Sequence, residues 1–221
     1  MLEPTYQRAR SEERKRERAD AFLAAARTVA LRDGVHGTTL VAIAREAGLH
    51  HSAVRRYFPS RDAVLLRLAV DGWQRWAQRV VERLDGTTTG PEGIAEALVE
   101  TLIDDQLFCD LLGNVPLHLE RSIATQDLLT FKREALAAVS QIVTAVAGAA
   151  PELDARSART LMTAANSLAA NLWQICHPPA ELASIYAHEP ELGHVARDFA
   201  PIMRRLLAAT ARGLALEPDA S

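Results

Sequence analysis

The sequence predicts an all-α fold. Alanine and leucine dominate it and β-branched runs are absent, a composition that favours helix. Apolar residues recur at three- and four-residue spacing through most of the chain, which gathers them on single helical faces. Glycine and proline interrupt the pattern at intervals suited to a helical bundle, as at Gly86-Thr87-Thr88-Thr89-Gly90-Pro91 and His177-Pro178-Pro179.

At 221 residues the chain suits one large domain or two small ones. Apolar residues make up 48% and charged residues 24%, so a sizeable core and a solvated surface are both available. No apolar run approaches the about twenty residues of a membrane span, and the N-terminus lacks the apolar stretch of a secretory signal. Cys109 and Cys176 are too few and too far apart for a metal or disulfide framework. The expectation is a soluble cytoplasmic protein with no cofactor and no membrane partner. Its net charge of −3 excludes a protein that is basic throughout. That charge is unevenly divided: residues 1–67 carry +5 and residues 68–221 carry −8. A basic head on an acidic body is the footprint of a chain that meets phosphates with its head alone.

Taken in order, residues 1–10 are polar and expected to be disordered, and the first helix is expected to start near Ser11. Glu12 and Glu13 suit the positive end of that helix. Phe22, Ala25, Ala26, Val29 and Ala30 form its buried stripe, and it closes near Asp33-Gly34. Arg8, Arg10, Arg14, Lys15, Arg16 and Arg18 form a basic cluster interspersed with Glu12, Glu13 and Glu17. The cluster reads either as a solvated charged helix or as a contact to phosphate or minor groove.

Residues 38–61 carry the most specific pattern. Leu40, Ile43, Ala44 and Ala47 share one helical face, with Thr38 or Thr39 able to cap its start. Gly48 permits the left-handed turn that stops it. A second run then turns Val54 and Phe58 inward and His50, His51, Ser52, Arg55, Arg56 and Tyr57 largely outward, and Pro59 ends it. Two short helices about a tight glycine turn form a helix-turn-helix, whose second helix can enter a DNA major groove. A helical hairpin that only packs a core is the alternative reading of the same pattern.

This stretch resembles the DNA-binding domain of the TetR family of transcriptional regulators. The resemblance rests on Thr38-Thr39, Ile43-Ala44, Ala47-Gly48, Tyr57-Phe58 and the run Pro59-Ser60-Arg61-Asp62-Ala63-Val64-Leu65, and covers roughly residues 15–75. His50, Ser52, Ala53 and Arg55 depart from the family pattern, so the phosphate and base contacts need not follow the usual set. The resemblance implies a double-stranded DNA operator as partner. Arg55, Arg56, His50, His51, Ser52 and Tyr57 would face DNA, and Thr38, Thr39 and Arg61 would clamp phosphates. It also implies a head over residues 11–67 and a helical ligand-binding and dimerisation domain over residues 68–216.

In that second part, Ser60 caps a long helix carrying Val64, Leu65, Leu68, Trp73, Trp76 and Val80 to Leu84. Ile94, Leu98, Leu102 and Ile103 mark the next, ending around Phe108 to Gly113, and a shorter one is opened by Pro116. Leu128 to Val146 form a long helix closed at Gly148 and Pro151; residues 153–176 form another, a short segment lies around Leu182 to Tyr186, and residues 195–213 form the last. The tail from Glu217 is polar.

The family resemblance implies a homodimer built on the two last long helices. Ala165, Leu168, Leu172, Leu206 and Leu207 are the candidates for contact, although the same stripes could bury the protomer core. An apolar effector pocket is expected among Trp73, Trp76, Phe108, Leu112, His118, Phe131, Met162, Asn166 and Trp173, against a plain core with hydrogen-bonded Asn and indole. His118, His188 and His194 lack ligand-like spacing, so no metal site is expected. Phosphate-loop, esterase and zinc-protease motifs are absent, and the acids Asp104, Asp105 and Asp110 read as a solvated face. The function expected is a homodimeric DNA-binding regulator, a repressor released by a small apolar ligand, rather than an enzyme. A ligand-free helical DNA-binding dimer is the alternative.

Overall fold

A computed structural model of the chain describes residues 3–121, 123–193 and 198–216, with side chains for these except 3–12, 51 and 121. Ten α-helices run through the described residues and no strand is found among them. The head comprises α1 (Glu3–Gly37), α2 (Leu40–Glu46) and α3 (His51–Val54). The long α4 (Arg61–Leu84) leaves the head and enters the body. There it meets α5 (Pro91–Ile103), α6 (Gln106–Leu117), α7 (Thr125–Ala149), α8 (Ala155–Cys176), α9 (Ala180–His188) and α10 (Phe199–Ala215).

α1 begins at Glu3 rather than near Ser11. Pro4 is compatible with that start, because a first-turn residue has no intrahelical partner for its missing amide proton. Gly34 breaks the helix with a positive φ of 74°, as the Asp33-Gly34 pair suggested. Phe22, Ala25, Ala26 and Ala30 are buried in one cluster with Ile43, Ala44 and Val54 of the next two helices, and Val29 is buried as well.

The expected continuous helix from Ile94 to beyond Phe108 is two helices instead. Asp105 causes the break: its carboxylate accepts the Phe108 amide at 3.2 Å and so caps α6. Pro116 sits inside the last turn of α6, not at the start of a new helix, and only a 3-10 turn at Leu119–Arg121 follows. Its ring leaves the Leu112 carbonyl without an intrahelical donor, a loss that is cheapest where a helix is ending anyway.

α4 packs along α7, and α10 packs against both α5 and α8. α6 lies at the centre of the body's upper end, against α8, α4 and α1. Its approach to α4 is so close that a Cβ on Gly72 would collide with the Phe108 ring. Trp73 and Trp76 flank that ring at 5.2 and 6.0 Å between centroids. Trp76 is fully buried and donates its indole N–H to Thr101 Oγ1 at 3.1 Å, which satisfies its polar edge. α9 contributes no buried residue.

Candidate nucleic-acid interface

The helix-turn-helix is built by three local devices. Thr39 caps α2, its hydroxyl oxygen accepting the Ala42 amide at 3.1 Å. Gly48, at φ 67°, closes α2: the Leu49 amide reaches back to the Ala44 carbonyl and the Gly48 amide to that of Arg45, at 2.9 and 3.1 Å. His50 then caps α3, its Nδ1 lying 3.4 Å from the Ser52 amide. α3 is one helical turn followed by further turn bonds, Tyr57 and Phe58 both donating to the Val54 carbonyl at 2.9 Å. Among its described side chains Val54 is fully buried and Ala53, Tyr57 and Phe58 pack partly against the core, while Ser52, Arg55 and Arg56 are exposed.

The nine residues expected to meet DNA divide into four groups. Thr39, His50, Ser52, Arg55 and Arg56 are exposed. They form a surface with two guanidinium groups, neither paired among the described residues, beside the cap of α3, able to meet phosphate or a guanine edge. Tyr57 is half-buried and its ring lies 5.4 Å from that of Phe22, so it also packs the head. The His51 side chain lies outside the described residues, as do those of Arg8 and Arg10. Arg14, Lys15, Arg16 and Arg18 are exposed along α1.

Thr38 and Arg61 correct the expectation. Thr38 is fully buried and donates its hydroxyl to the Gly34 carbonyl at 2.9 Å, so it has no surface to offer a phosphate. The Arg61 guanidinium turns inward, donating to the carbonyls of Thr38 at 2.6 Å and Val35 at 2.5 Å and to Asp62 at 3.0 Å. It satisfies carbonyls left open where α1 ends and thereby ties α4 to the turn before α2.

A carboxylate that reads from the sequence as part of a solvated face joins head to body. Asp105, 4% exposed, accepts Arg75 Nε and Nη2 of α4 at 2.9 and 2.6 Å and Arg27 Nη2 of α1 at 3.0 Å. Burial alone would raise its pKa, but hydrogen bonds and charge from Arg75 and Arg27 outweigh that and hold it below the usual carboxylate range. Asp110 acts beside it: its carboxylate accepts the Val35 amide of the head at 3.3 Å and Gln174 Nε2 of α8 at 2.9 Å. Of the three acids read as a solvated face, therefore, Asp105 is a buried clamp and Asp110 a half-buried bridge, while Asp104 is exposed. Only the pairing of arginines on α1 and α4 with a carboxylate 78 and 30 residues away reveals this, and no sequence periodicity encodes it.

In the body, Trp73, Phe108, Leu112, Met162 and Trp173 are all buried, and His118 is exposed at the end of α6. Trp73 and Phe108 stand in the aromatic cluster beside α4, whereas Trp173 stacks on His177 at 3.7 Å and meets Phe199 edge-on at 5.2 Å. Asn166 is half-buried and its Oδ1 has no hydrogen-bond partner among the described residues. The candidates for dimer contact also divide. Ala165 and Leu207 are fully buried within the single chain, so they pack its own core and leave nothing for a partner. Leu168 and Leu172 are half-buried and Leu206 is 38% exposed, joined by Ile175 at 39%. Burial pushes the Cys109 thiol up to about 12, so it stays protonated and unreactive; burial also raises Cys176.

A second short helix after a tight glycine turn, closed by the exposed pair Arg55 and Arg56, on a basic head carried by a helical body, defines a helix-turn-helix DNA-binding protein. Family models place it further. A model for bacterial regulatory proteins of the tetR family matches residues 22–68, and one for the tetracyclin repressor-like C-terminal domain matches residues 70–218. The chain belongs to the TetR family of DNA-binding transcriptional regulators.

Solved structures share the fold. The fatty acid degradation regulator FadR from Bacillus halodurans is 15% identical, with 91% of this chain and 96% of that one covered and a TM-score of 0.55. The TetR family regulator PfmR from Thermus thermophilus is also 15% identical, with 89% and 99% covered and a TM-score of 0.53. FadR from Bacillus subtilis, solved in complex with stearoyl-CoA, is 19% identical, with 87% and 97% covered and a TM-score of 0.51. Comparison with curated protein sequences gives no significant match.

The clamp yields a stability test. Asn at position 105 would keep the cap on α6 and lose the charge, so Asp105→Asn should cost about 2 to 4 kcal/mol at pH 7. Because the folded pKa of Asp105 is depressed, its stabilisation is present above the unfolded carboxylate pKa and is lost as pH falls through the folded one. Urea unfolding should therefore show the gap between wild type and variant narrowing below about pH 4. A gap independent of pH would contradict the charged clamp.

Proposed function

We propose that this chain is a homodimeric, sequence-specific regulator that represses by occupying an operator and is released when a small molecule binds its body. The exposed pair Arg55 and Arg56 beside the His50 cap carries the DNA-contacting part of this reading. The charge split of +5 in residues 1–67 against −8 in the rest supports it from outside the motif. The head extends over residues 11–67 and the regulatory part over 68–216.

Two copies are required because one turn of recognition helix reads too few base pairs for specificity, and dimers place two such helices one DNA turn apart. The half-exposed row Leu168, Leu172, Ile175 and Leu206 on α8 and α10 supplies apolar area that a lone chain would leave in water. The unpartnered Asn166 oxygen on α8 supports an effector carrying a donor, since an unmet buried acceptor costs about 1 to 3 kcal/mol. The stearoyl-CoA bound by one structural relative supports a largely apolar effector here. Release then needs the ligand to favour the arrangement that does not bind DNA, by a free energy equal to the lost operator affinity.

Replacing Arg55 and Arg56 together by alanine should abolish mobility-shift binding to a duplex selected from a random pool by the wild-type protein, with the circular dichroism spectrum unchanged. Wild-type affinity for that duplex should fall steeply with salt, because each neutralised phosphate releases counterions. Undiminished binding by the double variant, or a flat salt response, would remove the assignment of this surface. Light scattering on the purified chain should give the mass of two copies, and Leu168→Glu with Leu206→Glu should give one. A wild-type monomer at micromolar concentration contradicts the interface.

A further inference from the structure

At the seam between head and body lies a cavity of about 210 Å³ formed by Tyr57-Phe58-Pro59, the first turns of α4 and the first turns of α7. Of the residues expected to hold a ligand, Phe131 alone lines it. We propose that this cavity is a site for a small organic cation with an apolar body, and that its occupancy is coupled to operator binding. The coupling rests on the DNA-binding reading above; the binding site does not.

The chemistry of the lining selects the ligand. Leu66, Val70 and Phe131, all at most 5% exposed, form an apolar floor, and Phe58 supplies a second aromatic wall. The volume suits about ten non-hydrogen atoms at protein packing density. The mouth is acidic. Arg67 is its one cation among the described residues and is already engaged by Glu134 at 3.1 Å and Asp71 at 3.3 Å. Asp127, in the first turn of α7, has no cationic partner among the described residues. Lys132, 5.7 Å over the Phe131 ring, is drawn off to Glu120 at 2.6 Å. An anion meets the Asp127 carboxylate here, which no cation among the described residues offsets, and a neutral ligand leaves it so. An ammonium on an aryl or short alkyl body satisfies both floor and mouth.

Position supplies the coupling. Tyr57-Phe58-Pro59 follows directly on the exposed arginines, and the Tyr57 ring rests 5.4 Å from Phe22 in the core of the head. A molecule lodged between Phe58 and Phe131 therefore sets the distance from the recognition element to α7. If that distance differs between DNA-bound and free protein, ligand and operator change each other's affinity by the same factor.

The test uses 2-phenylethylammonium, with 2-phenylethanol and phenylacetate as neutral and anionic matches, titrated into the full chain by calorimetry. The amine should bind at submillimolar concentration, about threefold tighter than the alcohol and about tenfold tighter than the acid. Thr130 is an exposed rim residue, so Thr130→Trp should fill the mouth and weaken amine binding about tenfold with the unfolding midpoint held. Asp127→Asn, also exposed, should erase the preference for the amine over the alcohol. Undetectable amine binding, equal binding of all three probes, or binding indifferent to both variants overturns the site. With a duplex selected by the wild-type protein, saturating amine should shift duplex affinity by at least about fivefold. Amine binding with unchanged duplex affinity overturns the coupling, whereas failure to select any duplex overturns the regulator reading and leaves the calorimetry standing.

Discussion

One buried carboxylate fixes how the two parts of this chain meet. Asp105 takes hydrogen bonds from Arg75 of α4 and Arg27 of α1 while capping α6, so a single group orients three helices at the seam. A buried charge left alone is costly, and two arginines offset that cost only if both guanidiniums hold their places. Displacing α6 along its axis would strip the carboxylate of its cap or of its partners. The clamp therefore favours discrete arrangements of head on body over continuous sliding.

α6 touches the head at two further points. Asp110 receives the Val35 amide, at the turn that Arg61 also braces through the Val35 carbonyl. His118 at its far end meets His36 edge-on with ring centroids 6.0 Å apart. Asp110 also holds Gln174 of α8, which carries part of the proposed dimer face. A chain of hydrogen bonds thus runs from the turn before the helix-turn-helix, through α6, to α8. The close approach of Gly72 and Phe108 locks α6 to α4 from the other side. Movement in the body would reach the recognition helix through contacts that are polar, directional and few.

Much of this was legible in the sequence, and what was not has a physical cause. The apolar periodicity of α1 and α4 gave their faces directly, since burial follows the 3.6-residue repeat, whereas Leu136 on α7 and Ile175 on α8 belong to the repeat and are exposed. Gly48 and Thr39 disclosed the turn and cap of the helix-turn-helix because backbone geometry leaves few residues able to fill those places. Thr38 and Arg61 misled because a hydroxyl or guanidinium at a helix start can serve a phosphate or its own backbone equally well, and only the packing of α1 decides. Ala165 and Leu207 misled for a similar reason: a stripe of apolar residues does not say which neighbour covers it. Asp105 lay beyond reach because its partners come from distant segments of the chain.

The central claim is that Asp105 binds head to body as a charged, cooperative unit. A double-mutant cycle on Arg27 and Asp105, each replaced by alanine singly and together and read by urea unfolding at pH 7, measures it most directly. Residues in one ion-pair network should be coupled by at least about 1 kcal/mol, so the double variant should lose less than the sum of the single losses. Additive losses, within a few tenths of a kcal/mol, would mean that the two residues act independently and that the clamp does not join the domains.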